Sequence, residues 1–348
     1  MKEKIVIGMS GGVDSSAAAW LLMEQGYEVV GVTMKMFDCD KNVGDSAVAD
    51  AKAVCEKLGI AHAALDFTGP FKKNVIDYFM DEYRHGRTPN PCIVCNRTMK
   101  WEALLDYAQQ IGADKIATGH YAHILKLPNG RYTLRRSEEG KDQTYVLYRL
   151  TQDQLARTVM PVGGYPKSKI REIAADIGLK VADKPDSQDI CFLPDGNYQK
   201  FLEENGAWGM GPGNFVTKDG TVIGRHKGIT HYTIGQRKGL NLAMGRPVFV
   251  TEIRQETNEV VIGDHDELMK DTLIAGGLNW MSVESLKEPM RVRAKIRYAH
   301  QGAPATIQMD SEDTVRVTFD EPQRAITPGQ SVVFYDGDII AGGGFIIS

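Results

Sequence analysis

Strand-like and helix-like segments alternate through the first third of the chain, and few folds accept that alternation. Ile5-Val6-Ile7 reads as a buried strand, Val13–Glu24 as a helix closed by Gly26, and Glu28–Thr33 as a second strand. Ala47–Leu58 is helical up to Gly59, Ala61–Phe67 extended, Phe71–Arg84 and Lys100–Ile111 helical, and Lys115–Thr118 a fourth strand. Strands separated by helical crossovers predict an α/β fold, a doubly wound parallel sheet. Ligands of such sheets sit beyond the carboxyl ends of the strands. Met9-Ser10-Gly11-Gly12 and Thr118-Gly119-His120 both fall at such ends.

Past Gly206 the pattern changes. Helical periodicity gives way to β-branched alternation, with short strands expected at Arg291–Ile296, Ala305–Met309, Thr314–Phe319, Ser331–Phe334 and Ile339–Ile347. Earlier, Pro128-Asn129-Gly130 reads as a turn between Ile124–Leu127 and Tyr132–Arg135. The expected organisation is a catalytic α/β domain over 1–200, a small central linking β domain over 201–272 and a C-terminal β-barrel over 273–348. At 348 residues the chain is long enough for several cores.

Ser10-Gly11-Gly12-Val13-Asp14-Ser15-Ser16 stands between the first strand and the first helix. Glycines let backbone approach an anion, and a helix N-terminus offers unpaired N–H groups and the positive end of a dipole. The serines add hydroxyl donors. Asp14 carries the wrong sign to hold phosphate, so Mg²⁺ is its expected partner. The Gly-Lys-[Ser/Thr] ending of a Walker A loop is missing. The motif resembles the pyrophosphatase loop of the PP-loop ATPases, whose fold is also described as adenine nucleotide alpha hydrolase-like. Those enzymes cleave ATP to AMP and pyrophosphate while adenylating a carbonyl or carboxyl oxygen.

The five cysteines are too few for a disulfide scaffold. Cys39 stands alone, Cys55 sits in an apolar helix as an inert thiol, Cys92 and Cys95 form a C-x-x-C, and Cys191 follows far downstream. Thr88-Pro89-Asn90-Pro91-Cys92-Ile93-Val94-Cys95-Asn96-Arg97 and Asp186-Ser187-Gln188-Asp189-Ile190-Cys191-Phe192 resemble the two cysteine segments of the bacterial tRNA-specific 2-thiouridylases. Ala117-Thr118-Gly119-His120-Tyr121, Lys141-Asp142-Gln143, Thr233-Ile234-Gly235-Gln236-Arg237-Lys238-Gly239, Ile296-Arg297-Tyr298 and Thr327-Pro328-Gly329-Gln330 extend the resemblance over nearly the whole chain.

That resemblance implies ATP-dependent 2-thiolation of the tRNA wobble uridine, by adenylation of the C2 carbonyl oxygen and sulfur transfer through a cysteine persulfide. It implies that Gly8, Met9, Ser10, Gly11, Gly12, Val13, Asp14 and Ser15 cradle ATP with Mg²⁺, with Met34 and Gly119 against the adenosine. Cys191 would carry persulfide sulfur from a cysteine desulfurase or a relay protein. Cys95 would attack it, closing a Cys95–Cys191 disulfide, and the catalytic set is Cys95, Cys191 and Asp14. Asn90, Pro91 and Cys92 would lie against the target base. His120, Lys141, Asp142, Gln143, Arg297, Tyr298 and Gln330 would touch tRNA, Tyr298 by stacking and Arg297 on phosphate.

The chemistry agrees with this assignment. A uridine C2 oxygen is a poor leaving group, adenylation makes it part of AMP, and a sulfur nucleophile then attacks C2. One departure from the relatives is Cys92, which stands where they carry Asp. With Cys95 and Cys191 it leaves open a second enzymatic reading, a tRNA thiolase built on a 4Fe–4S cluster. A third reading is a non-catalytic RNA-binding protein that keeps a relic loop.

The net charge of −4 argues against indiscriminate nucleic-acid binding, but it is an average. Thr221–Val250 holds Arg225, Lys227, Arg237, Lys238 and Arg246 with no acidic residue, and Arg291-x-Arg293-x-Lys295-x-Arg297 is also free of acids. No apolar run approaches a membrane span. The strand-like run near Met1 leaves no room for a leader, so a cytoplasmic protein is expected.

Overall fold

The structure is a computed structural model and describes residues 2–37, 43–137, 141–179, 190–193, 195–207 and 209–348. Cys39 and the stretch 180–189, which holds Asp186 to Asp189 of the second cysteine segment, lie outside the described residues.

The first layer is a parallel sheet of β1 (Lys4–Gly8), β2 (Glu28–Lys35), β3 (Ala61–Asp66), β4 (Lys115–Ala117) and β7 (Thr158–Val159), in the order β3-β2-β1-β4-β7. Ile5, Val6 and Ile7 are fully buried, as expected of a central parallel strand covered on both faces. Helix α1 (Val13–Glu24) sets Ala17, Ala18 and Ala19 into the same core, where small side chains let the helix lie close to the sheet. Helix α2 (Val43–Leu58) covers β2 and β3 and buries Ala51, Val54 and Cys55. Cys55 is the inert thiol the sequence predicts: burial pushes it up to about 11.

Sequence order in this sheet reverses at β1, which has β2 on one side and β4 on the other. Chain leaving the carboxyl ends of β1 and β4 therefore diverges and opens a crevice. The phosphate loop leaves from one of these ends and Thr118-Gly119-His120 from the other. Ile7 is paired with Ala117, so the two loops start side by side.

The second sheet has the order β10 (Phe249–Arg254), β11 (Glu259–Gly263), β8 (Gly213–Val216) and β9 (Val222–His226). The third contains β12 (Met269–Trp280), β13 (Met290–Lys295), β14 (Ala303–Met309), β15 (Thr314–Arg324), β16 (Ser331–Asp336) and β17 (Ile339–Ile346). These follow one another as β12-β15-β14-β13-β16-β17, and pairing of β12 with β17 closes them into an antiparallel barrel.

The early hairpin joins this last sheet. Strands β5 (Ala122–Lys126) and β6 (Tyr132–Arg136) extend it beyond β17, where Arg135 pairs with Ile339. Arg131 donates to the carbonyls of Met281 and Trp280 and fixes the turn to the barrel. The α/β region and the barrel are thus sewn together by chain that the sequence places in the first domain.

Both acid-free basic stretches acquire acidic neighbours by folding. Arg291 makes a two-point ion pair with Asp320 of β15, and Arg246 pairs with Asp264.

Candidate functional site

At the phosphate loop, Gly12 is the N-cap of α1, with extended backbone and no side-chain cap. The first N–H groups of α1 are therefore not taken by a capping side chain. The hydroxyls shape the loop from inside: Ser15 Oγ accepts from Ser10 N–H at 3.2 Å, and Ser16 Oγ donates to the Gly12 carbonyl at 2.8 Å. Gly11 has φ +69°, and a Cβ there would stand 2.8 Å from the Ala47 carbonyl oxygen. No other residue type fits both the dihedral and the space. Gly119 comes from the opposite side: a Cβ on it would lie 2.8 Å from both Asp14 C and Ser15 N.

Asp14 does not present an open carboxylate to a metal. Tyr121 Oη donates to its Oδ1 at 2.6 Å, Lys167 Nζ reaches Oδ1 at 2.5 Å and Lys141 Nζ reaches Oδ2 at 3.2 Å. Two ammonium groups from distant parts of the chain share the carboxylate for which the sequence suggests Mg²⁺. Lys167 opens the helix Lys167–Asp176 and has no local motif to announce it. Tyr121 closes the motif Ala117-Thr118-Gly119-His120-Tyr121, and nothing local in that motif marks its hydroxyl as a partner of Asp14. Met9 is buried behind the loop, and Met34 lies half-buried at the end of β2.

The cysteine loop begins at Asn90, which caps a single α turn, Pro91–Val94, with Pro91 in the first position. The helix then widens to a π-helix over Cys95–Trp101 before continuing as Glu102–Gln110. Cys95 is buried, Cys92 partly buried and Cys191 exposed; all are free thiols. Cys95 packs with Phe192 and Leu193 in one apolar cluster, so the second cysteine segment lies directly over the first. Desolvation pushes Cys95 up to about 11 and, though its surface is open, Cys191 up to about 12; Cys92 is raised by the same cause. Cys191 is next raised by Cys95 and then lowered by Lys100, so these groups share one electrostatic neighbourhood.

His120 sits under the crevice with its ring 5.4 Å from that of Trp101 and its Nδ1 3.0 Å from Thr118 Oγ1. Desolvation first, then the charges of Lys100 and Lys141, hold it down at about 3, so it is neutral at physiological pH.

The side chains of Lys141-Asp142-Gln143 all have partners within the chain. Lys141 holds Asp14, Asp142 accepts from Thr144 N–H and Oγ1, and Gln143 Oε1 accepts from Tyr121 N–H. From the barrel, Tyr298 is 47% exposed and touches this segment through its hydroxyl, 3.5 Å from the Asp142 carbonyl. Arg297 is half-buried and donates to the Arg324 carbonyl. Gln330 Nε2 donates to the Thr88 carbonyl at 2.8 Å, at the entrance to the cysteine loop. Contacts of Tyr298 with Asp142, of Lys141 with Asp14 and of Gln330 with Thr88 thus join the barrel to both the phosphate-loop and the cysteine-loop sides of the α/β layer.

Among the described residues no three His, Cys, Asp or Glu side chains converge to hold a metal ion. Cys92, Cys95 and Cys191 are all described, are free thiols and do not make such a group.

Family models cover almost the whole chain. One described as a tRNA methyl transferase HUP domain matches residues 3–195, a tRNA methyl transferase PRC-barrel domain matches 199–264, and an aminomethyltransferase beta-barrel domain matches 270–346. The tRNA-specific 2-thiouridylase MnmA of Lachnoclostridium phytofermentans is 57% identical, with 99% of each chain aligned. This chain belongs to the tRNA-specific 2-thiouridylase family. The MnmA of Clostridium perfringens, another member, is 54% identical over 100% of this chain and 99% of its own. Among solved structures, the U34-tRNA thiolase NcsA of Methanococcus maripaludis, described with its [4Fe-4S] cluster, aligns with 58% of this chain and 66% of its own at 18% identity and a TM-score of 0.36. That likeness is too remote to bear on the thiols here. No described helix of this family member is long and apolar enough to cross a membrane.

Proposed function

We propose that the chain is a tRNA-uridine 2-sulfurtransferase that activates the wobble uridine with ATP and delivers sulfur through Cys191 and Cys95. The observation that carries this reading is the pairing of an exposed and a buried thiol in one electrostatic neighbourhood, beside an uncapped helix N-terminus at the sheet's switch point.

ATP phosphates lie against the N-terminus of α1, where peptide N–H groups and the helix dipole favour anions. The uridine C2 oxygen attacks the α-phosphorus and pyrophosphate leaves. Exposed Cys191 receives its outer sulfur from a persulfide donor protein, which could not reach a buried thiol. A persulfide is more acidic than its parent thiol, so loading supplies an anionic nucleophile where the free thiol, held at about 12, stays protonated. The outer sulfur attacks C2 and the original oxygen departs with AMP. A Cys95 thiolate then attacks Cys191 Sγ. The sulfur–sulfur bond to the base breaks, its electron pair leaves with the 2-thiouridine, and a Cys95–Cys191 disulfide remains. An external thiol reductant returns two electrons and restores both cysteines.

Neutral His120 suits a base-binding crevice, since it adds no charge and can donate or accept a hydrogen bond. Tyr298 offers an exposed ring for stacking, and Arg297 a guanidinium for phosphate. The test is nucleoside analysis of unmodified tRNA incubated with the protein, ATP, Mg²⁺, a persulfide source (a cysteine desulfurase with cysteine) and a thiol reductant. The expected product is 2-thiouridine with one AMP per sulfur; absence of 2-thiouridine in the presence of bound tRNA and ATP would refute the reading.

A further inference from the structure

Burial works against the chemistry just described, because it favours the protonated thiol at Cys92, Cys95 and Cys191 alike. Lys100 is the cation that acts against burial at all of them.

Its placement follows from the π-helix Cys95–Trp101. In an α-helix a residue five positions on is rotated by about 140° and points elsewhere. A π turn closes between residues i and i+5, which brings Lys100 back toward the side of the helix that carries Cys95. The ammonium is also anchored: Lys100 Nζ donates to Asn96 Oδ1 at 3.0 Å. Asn96 is 2% exposed, and its amide nitrogen donates to the Val146 carbonyl at 3.1 Å. That second bond turns the amide oxygen toward Lys100. An amide orients a lysine without cancelling its charge, and among the described residues no carboxylate pairs with Lys100. The other titratable groups around these thiols are neutral His120, Lys141 on Asp14, and the Tyr298 phenol near Cys92.

We propose that Lys100 is a positioning residue for sulfur transfer, its ammonium fixed by Asn96 so that it stabilises anionic sulfur on Cys95 and Cys191. The π turn is the device that delivers the charge. The proposal deepens the sulfurtransferase reading and rests on it for its purpose, but its test needs neither tRNA nor ATP.

The experiment follows the reaction of the full-length protein with methyl methanethiosulfonate, a small neutral reagent, over a range of pH, with mass spectrometry resolving Cys95 and Cys191. Lys100→Gln keeps an amide to bond Asn96 and removes the charge; Lys100→Arg restores it. In Lys100→Gln the pH midpoint for Cys95 should rise by about one unit, with Cys191 following by less. The rate at a fixed pH below the midpoint should fall only about threefold, because a more basic thiolate is intrinsically more nucleophilic. Lys100→Arg should return the profile toward that of the unsubstituted protein, and thermal stability should be unchanged in both. Superimposable profiles for the unsubstituted and Lys100→Gln proteins would overturn the proposal, as would a rise that Lys100→Arg fails to reverse. Should Lys100→Gln not fold, Lys100→Met read against Lys100→Arg decides in the same way. Loss of 2-thiouridine synthesis with no change in either thiol profile would also count against it, since charge would then matter elsewhere.

Discussion

Replacing Gly119 by Ala adds one methyl group where the crevice is narrowest. A Cβ on Gly119 would stand 2.8 Å from Asp14 C, 2.8 Å from Ser15 N and 3.0 Å from the Asp14 carbonyl oxygen. These are backbone atoms of the first turn of α1, which cannot swing aside as a flexible side chain can. The dihedral is not at issue, because Gly119 does not have positive φ; the conflict is purely steric. Forcing a methyl into a filled space costs about 1–3 kcal/mol. If the helix start moves away, the loss falls on the geometry that holds phosphate, and about 5- to 150-fold in ATP affinity is at stake. Gly12→Ala is the control: its Cβ would meet only the rotatable Ser10 Oγ, at 3.3 Å, from a backbone that alanine accepts. Calorimetric titration of ATP, with thermal melting of each variant, separates the two. Gly119→Ala should bind ATP at least about fivefold more weakly than Gly12→Ala. Equal affinities in two folded variants would show that the start of α1 does not hold the phosphates.

Arg297→Ala should weaken tRNA binding and lower its salt dependence by about one counterion, while ATP binding stays unchanged; titrations at several salt concentrations read both. Gln330→Ala should instead slow thiolation more than it weakens tRNA binding, because Gln330 Nε2 holds the Thr88 carbonyl at the entrance to the cysteine loop. Cys92→Ser should retain most thiolation in single-turnover assays, since the persulfide route uses only Cys95 and Cys191; loss comparable to that of Cys95→Ser would give Cys92 a chemical role. Stability should fall on acidification below about pH 6.5, because His62, His120, His226, His231 and His300 are all lowered on folding, chiefly by desolvation. The unfolded chain then binds protons that the folded one refuses. Urea midpoints at pH 7 and pH 5 should show this fall, and His120→Gln should reduce it.

What could be read from the sequence was local. Ile5-Val6-Ile7, the glycine that ends α1, and Ser10-Gly11-Gly12 betray their conformations within a few residues, so the parallel sheet and its loop follow from pattern alone. Contacts between distant segments left no such trace. Lys141 reads as part of a polar, RNA-facing motif, yet its ammonium lies on Asp14, 127 residues earlier. Lys167 reaches the same carboxylate across 153 residues from a helix start that looks ordinary. The charge of Arg291 is cancelled only because strand register sets Asp320 beside it. The hairpin β5–β6 has a readable turn but no mark to say that its neighbour would be β17. The π turn is hidden for a different reason: Lys100–Ile111 has ordinary helical periodicity, and the widening over Cys95–Trp101 is a matter of backbone geometry.

The barrel meets the two halves of the proposed reaction at separate points. At one, Thr88 N–H donates to the Pro328 carbonyl at 2.9 Å and Gln330 returns a bond to the Thr88 carbonyl. Gly329 lies so close that a Cβ, already strained at φ +89°, would stand 2.9 Å from Thr88 N. This turn therefore clamps the segment that leads into Asn90, Pro91 and Cys92. At the other, Tyr298 reaches the Asp142 carbonyl, the residue before it is Lys141, and Lys141 holds Asp14 in the phosphate loop. A tRNA docked on Tyr298 and Arg297 would thus bear on the ATP loop through one contact and on the sulfur-bearing loop through the other. Adenylation without sulfur delivery wastes ATP, and sulfur delivery without adenylation meets an unreactive carbonyl. A substrate platform fastened to both loops favours their alignment on the same base.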